Sequence, residues 1–282
     1  MRRYEAPAKL NLALLVYPPD ASGYHPLESL VQTVQWCDLL EVSKGEGRDR
    51  LEVAGVDLDP EDNLVLRAIS ALRRHHPVPP LSMRLTKEIP VAAGLGGGSA
   101  DAAATLLAAG DAKQIERDVL DQTAPEVGAD VALFLTGGTL HVSGHGEQIE
   151  PLAPLEGFAV AVAVPDFGLS TADVYRCWDQ LEGPVGEEAP PHLVPPPLRD
   201  GMSLRNDLLP AALALEPRLG DFMADLRSLW GTAVCLTGSG SACFGYFPSF
   251  DEADEAATAA AELAGITRAA GLRDRGVAPA DG

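Results

Sequence analysis

Lysine is scarce in this chain, with four in 282 residues: Lys9, Lys44, Lys87 and Lys113. Acidic residues outnumber basic ones 41 to 21, for a net charge of −20. A field of that sign argues against general binding to nucleic acids or anionic membrane surfaces. Aromatic residues make up only 5%, so aliphatic and alanine packing must build the core. The four cysteines, Cys37, Cys177, Cys235 and Cys243, stand far apart with no C-x-x-C pair. That excludes a disulfide framework or a zinc knuckle and suits a reducing, cytoplasmic setting. His141 and His145 are four apart but flank Val-Ser-Gly in a glycine-rich stretch, which is no helical metal site. No apolar run reaches the ~20 residues of a membrane span, and the N-terminus does not read as a signal or transit peptide. With 46% hydrophobic residues, the chain can bury a core across two domains.

Glycine is what the chain has in concentration. Within Pro90-Val-Ala-Ala-Gly94-Leu-Gly96-Gly97-Gly98-Ser99-Ala-Asp101, four glycines fall in five positions. Glycine reaches positive φ and lets a ligand approach the backbone closely. An alanine-rich helix former follows, with Ser99 as its expected N-cap. A glycine loop feeding a helix N-terminus offers unpaired amides and the positive end of the helix dipole. The anion this suits is phosphate. In so acidic a protein the phosphate must be held locally, by backbone amides, a few cations and a divalent metal.

Patterning around the loop is mixed. Strands are expected over 9–16, 27–40, 51–54 and 81–87, and an amphipathic helix over 62–74. Helices are expected over 99–109 and 114–124, and a strand over 137–143. The clearest buried strand is Phe158-Ala-Val-Ala-Val-Ala-Val164, just past a proposed domain boundary near Pro151 to Pro154. Six prolines between Gly183 and Pro197 read as an irregular, mobile surface excursion. Helices over 207–215, 219–229 and 250–263, strands over 233–236 and 243–247, and a frayed tail from Leu272 complete the reading.

Three further segments are too polar for packing alone. In Pro7-Ala-Lys9-Leu-Asn11, the lysine and asparagine share one strand face. In Gly128-Ala-Asp130-Val, the aspartate is either a helix N-cap or a carboxylate able to take a proton from an attacking hydroxyl. In Leu236-Thr237-Gly238-Ser239-Gly240-Ser-Ala, the turn is either a plain hairpin or a second loop closing over phosphate.

A lysine strand, a Pro-x-x-x-Gly-Leu-Gly loop and a Thr-Gly-Ser-Gly loop, in that order, resemble the GHMP kinases, named for galactokinase, homoserine, mevalonate and phosphomevalonate kinases. Gly23-Tyr24-His25, Leu30-Val-Gln-Thr-Val-Gln-Trp-Cys-Asp38, Asn63-Leu-Val, Gly128-Ala-Asp-Val131 and Asn206-Asp207 bring the chain closest to one family among them. These are the 4-diphosphocytidyl-2-C-methyl-D-erythritol kinases of the non-mevalonate isoprenoid pathway. The chain departs from that pattern at Ala100, where a second serine is usual, and at Ala92, where glycine is usual. The arginine that commonly precedes Gly-Tyr-His is also missing.

The resemblance implies an α+β architecture of mixed and antiparallel sheets with helices. Residues 1–152 would form the nucleotide-binding and catalytic domain and 153–282 the substrate domain, with the active site between them. It implies ATP and Mg²⁺, and a cytidylyl sugar alcohol phosphorylated on its 2-hydroxyl. Asp130 would be the base and Lys9 its cationic partner. Asn63, Lys87, Pro90, Gly94, Leu95, Gly96, Gly97, Gly98, Ser99 and Asp101 would hold the nucleotide. Asn11, Tyr24, His25, Thr171, Tyr175, Thr237, Gly238, Ser239 and Gly240 would hold the acceptor. The rival readings are a kinase for mevalonate-like or homoserine-like substrates, a dinucleotide-binding oxidoreductase and a non-catalytic nucleotide-binding module. Against the oxidoreductase, Asp118 and Asp121 fall in a helical pattern where that fold wants an acid at a strand end.

Overall fold

Two long strands, β1 (Arg2–Val16) and β2 (Leu27–Lys44), pair antiparallel and form the spine of the molecule. In the computed structural model, which describes residues 1–56, 63–199 and 201–280, β1 is buried along most of its length. A strand covered on both faces needs a near-continuous apolar run rather than alternation, which Ala8 to Val16 supplies apart from Lys9 and Asn11. Register shifts flank those two residues, between Pro7 and Ala8 and between Asn11 and Ala13. Such bulges re-aim side chains.

β3 (Arg50–Ala54), α1 (Leu64–His75) and β4 (Leu81–Thr86) follow, with β3 parallel to β4 and β4 antiparallel to β2. Asn63 caps α1, its Oδ1 accepting the Val65 N–H at 3.0 Å. Asp62, expected to open this helix, lies outside the described residues. Next come α2 (Gly97–Lys113), α3 (Arg117–Val127), α4 (Val131–Thr136), β5 (Thr139–Gly144) and β6 (Gln148–Pro151). The last two form a hairpin on β2. Helices α1 to α4 bury Val65, Ile69, Leu72, Leu106, Leu120 and Phe134 in one cluster with the sheet residues Leu40, Met83 and Leu85.

A second, antiparallel sheet takes β7 (Ala159–Val164), β8 (Val234–Leu236), β9 (Cys243–Phe247) and β10 (Ile266–Gly271), in the order β10-β7-β9-β8. Between β7 and β8 lie α5 (Thr171–Gln180), α6 (Leu209–Leu215) and α7 (Arg218–Trp230), and α8 (Phe250–Ala259) follows β9. A shared core joins Leu10 and Leu12 of β1 to Val160 and Val162 of β7 and Phe244 of β9. The final strand, β11 (Ala278–Pro279), returns to the first sheet beside β1. The fold is α+β with mixed and antiparallel sheets, as the motifs implied. Among the described residues, no helix is long and apolar enough to cross a membrane.

Several local expectations give way. Ser99 is not an N-cap: α2 begins two residues earlier, after Gly96, whose φ of 73° only glycine adopts cheaply. The same helix runs on through Gly110 to Lys113, and Gln114, expected to start the next helix, ends this one at φ 54°. The proline-rich stretch packs inward through Val194 and Leu198, on 3₁₀ turns at Pro191–Leu193 and Pro196–Leu198. Proline's fixed φ suits the start of such turns. Residues 272–280 are not frayed, because the Gln32 and Thr33 side chains donate to the Arg273 carbonyl at 2.8 and 3.1 Å. Val277 N–H reaches Phe134 O at 2.8 Å, anchoring the tail further.

Candidate active site

The first helical bond of α2 is Ala100 N–H to Gly96 O at 3.0 Å. The amides of Gly97, Gly98 and Ser99 therefore lack helical acceptors and stand at the positive end of a 17-residue helix. They face a cleft of about 1040 Å³. Ala92 takes φ 55°, so the loop keeps a glycine-like backbone there without a glycine. Ala100 is fully buried and does not line the cleft.

Lys9 is pinned between both glycine loops. Its N–H donates to Leu95 O at 3.0 Å, and its Nζ to Asn11 Oδ1 at 2.5 Å. Asn11 Nδ2 in turn donates to Ser29 Oγ at 2.8 Å, and the Asn11 N–H to Thr237 Oγ1 at 3.0 Å. Ala242 N–H reaches Ala93 O at 3.1 Å, tying the second loop to the first. Gly238, at φ 57°, allows a close approach: a Cβ there would stand 3.3 Å from Lys9 Nζ. Burial lowers the Lys9 ammonium below the usual lysine range, and the Asp130 charge opposes the shift.

Asp130 occupies the N-cap position of α4, but its backbone is helical and its carboxylate makes no capping bond. The capping reading fails, and the carboxylate is left half-buried in the cleft with Lys9. Its charge also reaches Tyr175, whose hydroxyl burial pushes up to about 12 with a further push from Asp130. Thr171 and Tyr175 sit one turn apart on α5, with Thr171 Oγ1 2.8 Å from Ser239 Oγ. His25 packs its ring 5.3 Å from Tyr175 and 5.2 Å from Trp178, the latter edge-on. Its Nδ1 lies 3.0 Å from Tyr17 O. Tyr24, 70% exposed, stands at the rim.

All the residues named from sequence line this one cleft except Thr237 and Gly240. Those two lie behind it; Thr237 is fully buried and braces Asn11. Lys87 and Asp101 reach the cleft, but their charges are turned on each other, Nζ to Oδ2 at 2.7 Å. Lys87 also pairs with Asp38, a fully buried carboxylate given no role by the sequence. Asp38 Oδ1 accepts the N–H groups of Glu88 and Ile89 at 2.6 and 2.8 Å, fixing the entry to the glycine loop. Burial alone would lower Lys87, yet Asp101 and Asp38 outweigh it and raise the ammonium. Burial pushes the Asp101 carboxyl up to about 8, against the pull of Lys87. Asn206 is a second residue without a sequence signal for its role, its Nδ2 holding the Leu236 and Gly238 carbonyls at 2.9 and 2.8 Å.

Breaking a buried ion cluster from one side costs about 3–5 kcal/mol. Asp38→Ala is therefore expected to lower the unfolding free energy by that order, as read from a urea denaturation midpoint at unchanged slope. An unshifted midpoint would contradict the role given to the cluster.

Comparison with known proteins agrees with this geometry. The GHMP kinases N terminal domain matches residues 63–138, and the GHMP kinases C terminal domain matches 195–264. The 4-diphosphocytidyl-2-C-methyl-D-erythritol kinase of Agrobacterium fabrum is 39% identical over 277 residues, covering 90% of this chain and 89% of the relative. That of Thermobifida fusca is 38% identical, with the same coverage. A crystal structure of 4-(cytidine 5'-diphospho)-2C-methyl-D-erythritol kinase superposes with a TM-score of 0.80 at 33% identity, over 96% of this chain and 98% of that one. Homoserine kinase from Cytophaga hutchinsonii shares the fold, with a TM-score of 0.71 at 19% identity over 99% of this chain and 97% of that one. With Lys9, Asp130 and both glycine loops on one cleft, the chain is a phosphotransferase acting on an alcohol, a GHMP kinase of the 4-diphosphocytidyl-2-C-methyl-D-erythritol kinase family.

Proposed function

We propose that this chain transfers the γ-phosphoryl group of ATP to the 2-hydroxyl of 4-diphosphocytidyl-2-C-methyl-D-erythritol, in the cytoplasm and on the way to isoprenoid precursors. One observation carries the reading: a single cleft lined by a lysine, a carboxylate and a glycine-loop helix, and by His25 and Tyr175 in aromatic contact. Residues 1–152 are read as the nucleotide-binding and catalytic part and 153–282 as the part that adds Thr171, Tyr175 and the second glycine loop.

Asp130 takes the proton of the acceptor hydroxyl as its oxygen bonds to the γ-phosphorus and the bond to the bridging oxygen of ADP breaks. Lys9 offsets charge growing on the attacking oxygen. Asn11 fixes the Lys9 ammonium. The amides of Gly97, Gly98 and Ser99 receive phosphate oxygens. Positioning and electrostatics are most of what phosphoryl transfer requires. Lys87, Asn63 and Pro90 line the cleft on the nucleotide side, with Lys87 acting through Asp38 and Asp101 rather than on phosphate.

The residues present also fit a divalent ion. Asp101 Oδ1 is buried without a hydrogen-bond partner, and Asp101 lines the cleft. Mg²⁺ needs only one or two protein oxygens, because phosphates and water complete its shell. Bound there, it would supply charge neutralisation between the phosphates.

His25→Ala is expected to raise the acceptor KM about tenfold or more, because it removes a polar tip and an aromatic neighbour from the cytosine end. ATP consumption against cytidylyl-erythritol, mevalonate and homoserine acceptors tests the assignment. Turnover with the first alone supports it; preference for either of the others overturns it.

A further inference from the structure

An amide side chain has a donor end and an acceptor end, so the way Asn11 points decides what Lys9 meets. Asn11 Oδ1 accepts from Lys9 Nζ at 2.5 Å, and its Nδ2 donates to Ser29 Oγ at 2.8 Å. Turned over, the amide would set NH₂ against an ammonium, donor against donor. All three side chains are buried, Ser29 to 1% exposure, so solvent would do little to relieve that mismatch.

Strand pairing brings Ser29 to this point. Asn11 on β1 pairs with Val31 on β2, and Ser29 stands two residues from Val31 on the same face. The register then skips Leu12, so that Ala13 pairs with Leu30 and Leu14 with Ser29. A serine hydroxyl has one proton to give, and that of Ser29 goes to the Ala13 carbonyl at 2.6 Å. The Ser29 oxygen is left as an acceptor, and Asn11 Nδ2 fills it. The bonds therefore run one way, from Lys9 through Asn11 and Ser29 to Ala13. An ammonium carries three protons. With one committed to a fixed Asn11 Oδ1, rotation about the Lys9 Cε–Nζ bond is set and the other two are left for the cleft.

We propose that Ser29 is a positioning residue for phosphoryl transfer, locking the Asn11 amide and through it orienting the Lys9 ammonium. This rests on the role given to Lys9 above. Ser29 lines the cleft, but its proton is spent on Ala13, so it acts on Asn11 rather than on a substrate. Thr237 does the complementary work. Its Oγ1 accepts the Asn11 N–H at 3.0 Å and stands 3.5 Å from Asn11 Oδ1. Thr237 thus holds the main chain and the acceptor end, and Ser29 holds the donor end.

Steady-state kinetics of the full chain with ATP and the cytidylyl acceptor test this in four variants: Ser29→Ala, Ser29→Thr, Asn11→Ala and the Ser29→Ala/Asn11→Ala pair. Ser29→Ala should lower kcat about tenfold, the order of one lost hydrogen bond, with both KM values within about twofold of wild type. Ser29→Thr keeps the hydroxyl on a residue that suits a strand, and should keep kcat. In the Asn11→Ala background, Ser29→Ala should cost nothing further, because the group it acts on is gone. An equal fall in both backgrounds overturns the proposal, since that is what a separate structural role would give. So does a loss carried by the acceptor KM, or a Ser29→Thr no better than Ser29→Ala. Wild-type kcat in Ser29→Ala beside an impaired Asn11→Ala removes Ser29 alone. If Lys9→Met and Asn11→Ala both keep wild-type kcat, the role of Lys9 falls, and this inference with it.

Discussion

Asp130→Asn is expected to lower kcat about 10²–10⁴-fold, the usual worth of a positioned general base, while ATP still binds. The amide has nearly the shape of the carboxylate but cannot take a proton. Nucleotide binding is separate because the phosphate cradle is built from the amides of Gly97, Gly98 and Ser99 on α2, whereas Asp130 sits before α4. Asp130 makes no capping bond, so its replacement should leave folding intact. Single-turnover kinetics with fluorescent nucleotide titration would check both halves. Near-normal kcat in this variant would end the assignment of Asp130 as the base.

Lys9→Met is expected to lower kcat about 10²–10³-fold, comparable to losing one preorganised donor aimed at developing charge. The unbranched thioether fills the lysine's place between Leu95 and Gly238 without a charge. A signature separates this from a mere packing defect. Burial lowers the Lys9 ammonium below the ordinary lysine value of 10.5, so the proton leaves at lower pH than from an exposed lysine. Wild-type kcat should accordingly fall on the alkaline side before pH 10.5, and that limb should vanish in Lys9→Met. Lys9→Arg should not rescue, since a planar guanidinium does not reproduce the compact ammonium seated on Asn11 Oδ1.

Much of the site could be read from local sequence because its parts are local motifs. Lys9 and Asn11 needed only strand alternation, and the phosphate cradle needed only glycines before a helix. Other parts depend on partners distant in sequence. Asp38 gains its role from Lys87, 49 positions along the chain, which also donates to Asp101, 14 positions further on. Asn206 is defined by carbonyls 30 and 32 residues away. The tail is ordered for the same reason: β11 is two residues long and is held by β1, at the other end of the chain. Strand β10 also went unseen, its exposed and buried residues irregularly mixed. At the helix boundary a chemical preference misled. Serine usually caps, but Gly96 at φ 73° turned the chain first, leaving Ser99 inside the helix with its hydroxyl available to the cleft.

A ternary structure with a non-hydrolysable ATP analogue and the cytidylyl acceptor would decide the matter. The acceptor 2-hydroxyl should lie about 2.6–3.2 Å from an Asp130 oxygen, with Lys9 Nζ beside it and the γ-phosphorus in line. A hydroxyl held away from Asp130, or a triphosphate seated off the amides of Gly97 to Ser99, would contradict the reading of this cleft.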